Sequence, residues 1–138
     1  MSKIEKQIMR HEDFRSMAYS DLKGNLTIGY GRNLESKGLS KIEALMLLRN
    51  DIAECEADLC KIFGKPLYDL DNNRRWALID MRYNLGPGGF RGFVRMINAV
   101  KCGFYAQAAK EMRHSAWYEQ VGDRGKTLHD MMLKGDDL

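Results

Sequence analysis

The sequence predicts an α+β fold, mainly helical, with a small N-terminal β-hairpin lobe, a long connecting helix and a helical C-terminal lobe. Three observations carry that expectation. Near the N-terminus Leu26, Ile28 and Tyr30 alternate with Thr27 and Gly29, the two-residue period of a strand. Apolar residues then recur at spacings of three and four from Leu45 to Ile62, the period of one long helix. Downstream, apolar segments of helical length are separated by glycine-rich turns at Gly86 to Gly89, Gly103 and Gly122. A chain of 138 residues can bury one sizeable core but is short for two independent domains, so residues 1–138 are expected to form a single domain.

The elements follow in order. Ser2-Lys3-Ile4-Glu5 has the form of a capping box, and Ile4 and Ile8 fall one turn apart, which predicts an amphipathic helix over about 2–12. From Tyr19 to Tyr30 the pattern turns to alternation around Gly24-Asn25, a hairpin turn. With the turn centred near Gly24, antiparallel pairing places Asp21 roughly opposite Thr27, on one face. Ser40-Lys41-Ile42-Glu43 is a second capping box, and Leu45, Leu48, Ile52, Cys55, Leu59 and Ile62 continue the stripe until Gly64 and Pro66 stop it. At about 1.5 Å per residue this helix of about 20 residues reaches roughly 30 Å, enough to join two lobes. Residues 72–85 are apolar around most of the circumference, as expected of a helix buried in a bundle. Further helices are predicted at about 93–101, 105–113 and 124–134. The expected lobes are therefore about 13–39 with the long helix 40–63, and about 66–138 with helix 2–12 packed against it.

Composition excludes several classes. A hydrophobic fraction of 44% with 30% charged residues is that of a folded protein, outside the range of disordered chains. The longest strictly apolar run, Ala44 to Leu48, is too short for a membrane span or a signal-peptide core. The net charge of +3 arises late: residues 1–81 carry 13 basic and 13 acidic side chains, residues 82–138 carry 9 and 6. That excess suits an anionic polymer or surface without choosing among them, and an ordinary solvated surface explains it equally. Cys55, Cys60 and Cys102 are odd in number, and two lie five apart on one helix, so free and mostly buried thiols are expected. His11, His114 and His129 lack the spacing of a zinc site, and no metal or cofactor is predicted. Cys55 on an apolar stripe reads as an inert packing thiol, and no phosphate loop or nucleic-acid motif is present.

Two carboxylates remain. Glu12 follows Ile4 and Ile8 at four-residue spacing, which carries it onto the apolar face of the first helix and predicts partial desolvation. Burial raises a carboxyl pKa and keeps it protonated, the state a general acid needs. Asp21, at a hairpin lip beside Thr27, is expected in a hydrated place where a carboxylate stays ionised. A protonated and an ionised carboxyl are the minimum equipment for glycoside hydrolysis, although charged residues at a helix end and a hairpin are also common without chemistry.

Residues 11–31, HEDFRSMAYSDLKGNLTIGYG, resemble the catalytic stretch of the phage-type lysozymes, glycoside hydrolase family 24. Glu12, Asp21 nine positions on, Thr27 six beyond it, and Tyr19, Gly29 and Gly31 fit the family pattern without a gap. Residues 73–93 resemble the family's buried C-lobe helix and following turn, and 115–126 the segment before its last helix. The resemblance implies that Glu12 donates the proton while Asp21 and Thr27 position the attacking water, with inversion at the anomeric carbon. It further implies substrate contacts from Asn84, Tyr19 and Gly31, in a cleft between the lobes. Arg124 matches a family arginine that pairs with the catalytic glutamate; such a pair would oppose desolvation and leaves the net shift of Glu12 open. Arg32 departs from the family, standing where many relatives have His.

The implied protein is an endolysin that cuts the β-1,4 bond between N-acetylmuramic acid and N-acetylglucosamine in bacterial peptidoglycan. It is expected to act as a monomer without a cofactor, and with no nucleic-acid partner or stable membrane association. Lacking an apolar N-terminal anchor, it is expected to stay in the host cytoplasm until a holin opens the membrane. The short C-terminus is expected to affect stability more than chemistry. The alternatives are a catalytically inactive peptidoglycan-binding module and a lytic transglycosylase.

Overall fold

The computed structural model describes residues 1–137. In chain order the elements are α1 (Lys3–Glu12), β1 (Arg15–Ser20), β2 (Leu26–Gly29), β3 (Arg32–Asn33), α2 (Leu34–Lys37), α3 (Lys41–Phe63), a 3-10 turn (Lys65–Asp69), α4 (Asn72–Arg91), α5 (Val94–Lys101), α6 (Tyr105–Arg113), α7 (Ala116–Val121), α8 (Asp123–Lys134) and a last 3-10 turn (Gly135–Asp137). The architecture is α+β and mainly helical, with one antiparallel sheet of order β1-β2-β3. The chain divides into two compact units, Met1–Leu47 and the residues from Leu48 onward, with the boundary inside α3.

The first unit is held chiefly by polar local bonds. The Ser2 hydroxyl accepts the Glu5 N–H at 3.1 Å while the Glu5 carboxylate accepts the Ser2 N–H, so both donors at the start of α1 are satisfied. Ser40 and Glu43 repeat the device at the start of α3. Arg32 ties the sheet to this second cap, since its guanidinium donates to the Gly38 carbonyl (3.2 Å) and to the Glu43 carboxylate (3.0 Å). An ion pair therefore stands at the position where the sequence departs from the family.

Two expectations for this unit are corrected. The hairpin pairs Tyr19 with Thr27 and Ser20 with Leu26, and the Asp21 N–H donates to the Asn25 carbonyl, so the turn is centred on Lys23. Asp21 therefore lies opposite Asn25, not Thr27; a one-residue error in the turn centre moves each partner by two. The apolar stripe of α1 buries nothing: Ile4 and Ile8 are 57% and 47% exposed, and Glu12 is exposed as well. Periodicity identifies the apolar face of a helix without supplying a surface to cover it.

The second unit contains the core. Leu59, Leu78, Met81, Phe90, Met96, Met112, Leu128 and Met132 are fully buried, and the Phe63 and Phe90 rings meet edge to face at 6.2 Å. Helices α5 and α6, α6 and α8, and α4 and α8 pack on one another. Of the α3 stripe, Cys55 and Leu59 are buried while Leu45 and Leu48 are exposed, and Phe63 beside Ile62 is buried as well. Helix α4 is also less enclosed than its composition suggests, with Trp76 and Tyr83 54% and 42% exposed. Gly86, at φ 77° and ψ 173°, breaks α4, and the chain resumes helix through Pro87 to Arg91 where a plain turn was expected. The Asp58 carboxylate accepts from Arg82 Nε (2.7 Å) and from Arg91 (2.9 Å), and Arg82 is buried. Cys55 is buried, but Cys60 and Cys102 are exposed, which corrects the expectation of mostly buried thiols. Among the described residues no helix is long and apolar enough to cross a membrane.

Candidate active site

In the first unit the candidate residues are assembled by two turns. Asp21 begins a tight turn and its carboxylate accepts the Asn25 N–H at 2.8 Å and the Lys23 N–H at 2.9 Å. These bonds, the Asn25 one foremost, hold the Asp21 carboxyl below the usual carboxylate range. Thr27 is 3% exposed and its hydroxyl donates to the Asn25 carbonyl at 2.9 Å. The two side chains that register does not place opposite one another are thus joined through one residue. Asn25 gives its N–H to Asp21 and its carbonyl to Thr27. With the Thr27 proton committed to that carbonyl, the hydroxyl oxygen keeps lone pairs to accept a hydrogen bond from a water.

Glu12 is the last residue of α1. Its carboxyl group lies against the backbone of Gly31, where the Cβ of any other residue would stand 2.7 Å from the Glu12 Cδ. Gly31 also has a φ of 73°, so its lack of a side chain serves both the backbone and the neighbouring carboxyl. Tyr19 is half-buried opposite Thr27, with the Arg15 guanidinium 4.7 Å above its ring. The strand β1 reaches this position through a register shift between Arg15 and Tyr19, which re-aims its side chains.

In the second unit Asn84 is exposed on α4, and its amide oxygen accepts the Trp117 indole N–H at 2.8 Å. Since an indole nitrogen only donates, this bond fixes the orientation of the amide and directs its two N–H donors away from Trp117. Arg124, on α8, donates from Nε to the Asp80 carboxylate on α4 at 2.8 Å. The guanidinium that the resemblance assigned to Glu12 is therefore engaged by a carboxylate of its own unit, a partner that motif matching did not weigh.

Sequence reasoning missed three participants. Asn25 enters through its backbone, which no side-chain pattern reports, although an Asp followed by Gly-Asn is a turn signature. Trp117 orients Asn84 from another helix, and Asp80 holds Arg124, both contacts of tertiary packing.

A family model described as phage lysozyme matches residues 9–132. The chain is similar to the pre-baseplate central spike protein Gp5 of Enterobacteria phage T4, with 28% identity over 96% of this chain and 28% of that protein's length. It is similar also to probable T4-type lysozyme 2 of Dictyostelium discoideum, 24% identical over 98% of this chain and 96% of that protein. Probable T4-type lysozyme 1 of the same organism is 26% identical over the same shares. The chain thus spans little more than a quarter of the spike protein but nearly all of the two lysozymes.

Proposed function

The chain belongs to the phage lysozyme family, and on that premise we propose that it is a muramidase, hydrolysing the β-1,4 bond between N-acetylmuramic acid and N-acetylglucosamine in bacterial peptidoglycan. The observation that carries this reading is the shared anchoring of Asp21 and Thr27 on Asn25. It supports an ionised carboxylate and an accepting hydroxyl beside each other, the pair needed to hold one water.

In the proposed reaction the Glu12 carboxyl gives its proton to the glycosidic oxygen as the C1–O bond breaks. Water held by Asp21 and Thr27 attacks C1 from the opposite face and loses a proton to Asp21, so the anomeric centre inverts. This course needs carboxyl groups about 6.5–9.5 Å apart, leaving room for the water. Asn84, with its N–H donors directed away from Trp117, is suited to the acetamido or hydroxyl oxygens of the sugar; Tyr19 and Gly31 are assigned to substrate binding, and Arg124 to a supporting role beside the acid. No cofactor is required. In a phage the activity would be that of an endolysin, a monomer acting on the cell wall after a holin has opened the host membrane.

The test is reducing-end release from purified peptidoglycan with mass identification of the products. Wild type should release fragments with an intact reducing N-acetylmuramic acid, and Glu12→Gln should lose about 10²- to 10⁴-fold in kcat. Products lacking one water would make the protein a lytic transglycosylase instead. Binding to the sacculus without release by either protein would make it a binding module.

A further inference from the structure

Among the described residues Asp13 is the one non-glycine with a positive φ, at φ 52° and ψ 151°. Side chains disfavour this region, and residues held in it against their preference cluster at sites where the geometry is used. Asp13 directly follows Glu12. Its N–H still donates to the Met9 carbonyl at 3.1 Å, so the last turn of α1 is closed through Asp13 itself before the chain departs toward β1. The Glu12 carboxyl itself lies against Gly31, too close for a Cβ there. Two positions of positive φ therefore bear on Glu12: Asp13, which follows it in the chain, and Gly31, which its carboxyl meets.

We propose that Asp13 is a positioning residue for Glu12: its backbone conformation ends α1 so that the Glu12 carboxyl is aimed onto the bare Cα of Gly31. The inference rests on the reading of Glu12 as the acid, and it assigns the role to the Asp13 backbone, not to its carboxylate. Were residue 13 to relax to negative φ, the helix would run on and the chain that follows, which carries Gly31, would be displaced relative to the Glu12 carboxyl. A misplacement of about 1 Å in a reacting group costs on the order of 10²-fold in rate. A glycine at 13 keeps the conformation without the disfavoured side chain, and an asparagine, matching aspartate in shape, is strained no more than the wild-type residue. A β-branched residue resists it most strongly.

The experiment measures kcat and KM on purified peptidoglycan, and the ¹³C resonance of the Glu12 carboxyl, for wild type, Asp13→Gly, Asp13→Asn and Asp13→Val. Asp13→Val should lose about ten- to a hundredfold in kcat, keep KM within about twofold, and shift the Glu12 resonance. Asp13→Gly and Asp13→Asn should keep kcat within about twofold and the resonance in place, and Asp13→Gly should melt about 3 °C higher. Wild-type kcat and an unmoved resonance in Asp13→Val overturn the proposal. Equal losses in all three variants overturn it too, since the carboxylate would then be the required group. If Asp13→Val does not fold, Asp13→Ala takes its place with a smaller loss expected in the same direction. An inactive wild type removes the muramidase reading, and the Glu12 resonance in the valine and glycine variants still decides the positioning role.

Discussion

The two units of the chain are stabilised by different means. Unit 2 holds the entire buried apolar core, from Cys55 to Met132, in which Leu59, Leu78, Met81, Phe90, Met112 and Met132 are wholly enclosed. In residues 1–47 Thr27 is the single buried residue, and Ile4, Ile8, Phe14, Met17 and Ile42 are exposed. A unit of that length lacks the volume for a core of its own. It is ordered by capping boxes, an aspartate turn and the Arg32–Glu43 pair. Yet this is the unit that carries Glu12, Asp21 and Thr27. Hydrogen-bonded turns fix donors and acceptors by direction, which is what a site needs; burial supplies free energy without direction, which is what a scaffold needs.

That contrast can be broken by substitution. The largest effect on stability is expected at the centre of unit 2, where Phe90→Ala should cost about 3–5 kcal/mol in urea unfolding. Next is Asp58→Ala, which leaves the buried Arg82 guanidinium without its carboxylate and should cost about 3 kcal/mol. Asp58 also sets a pH dependence. Hydrogen bonds from Arg91 and then Arg82 hold its carboxyl far below the usual carboxylate range. A depressed folded-state pKa contributes stability that is fully present above the unfolded value of about 4 and is lost as pH falls toward the folded one. Wild type should therefore lose stability between about pH 5 and pH 2, and Asp58→Ala should flatten that part of the curve. The smallest stability effect is expected in unit 1, where Thr27→Val removes one hydroxyl bond at about 1–2 kcal/mol. The same change should lower reducing-end release at least about tenfold, because the water loses a partner. A Thr27→Val protein with wild-type turnover, or one that unfolds as readily as Phe90→Ala, would show that chemistry and stability are not divided between the units in this way.

The sequence was most legible where one local rule decides the outcome. Both capping boxes are formed as Ser2/Glu5 and Ser40/Glu43 predict, and the long helix begins and ends close to Ser40 and Gly64. Legibility failed where the outcome depends on what lies across from a residue. Nothing in the α1 pattern tells whether Ile4, Ile8 and Glu12 meet a neighbour, and Trp76 and Tyr83 look as interior as Leu78 until α4 is packed. The hairpin shows a third limit. Asp21 and Thr27 are not opposite one another as alternation predicts; what links them is the Asn25 backbone, to which each is hydrogen-bonded. For Arg124 the sequence pattern names no partner within its own unit; packing supplies one in Asp80.

The chain has two tryptophans, and their surroundings differ sharply: Trp117 is 5% exposed, edge to face with Phe93 at 6.1 Å, while Trp76 lies more than half open to solvent. Their emission is therefore spectrally separable, with Trp117 at the blue edge and Trp76 readily quenched by iodide. Because the Trp117 indole proton rests on Asn84, any sugar that engages that amide will disturb the indole's ¹H–¹⁵N signal and leave that of Trp76 as an internal reference. On the proposed role of Asn84, that signal would report glycan occupancy in catalytically silenced protein without an added label.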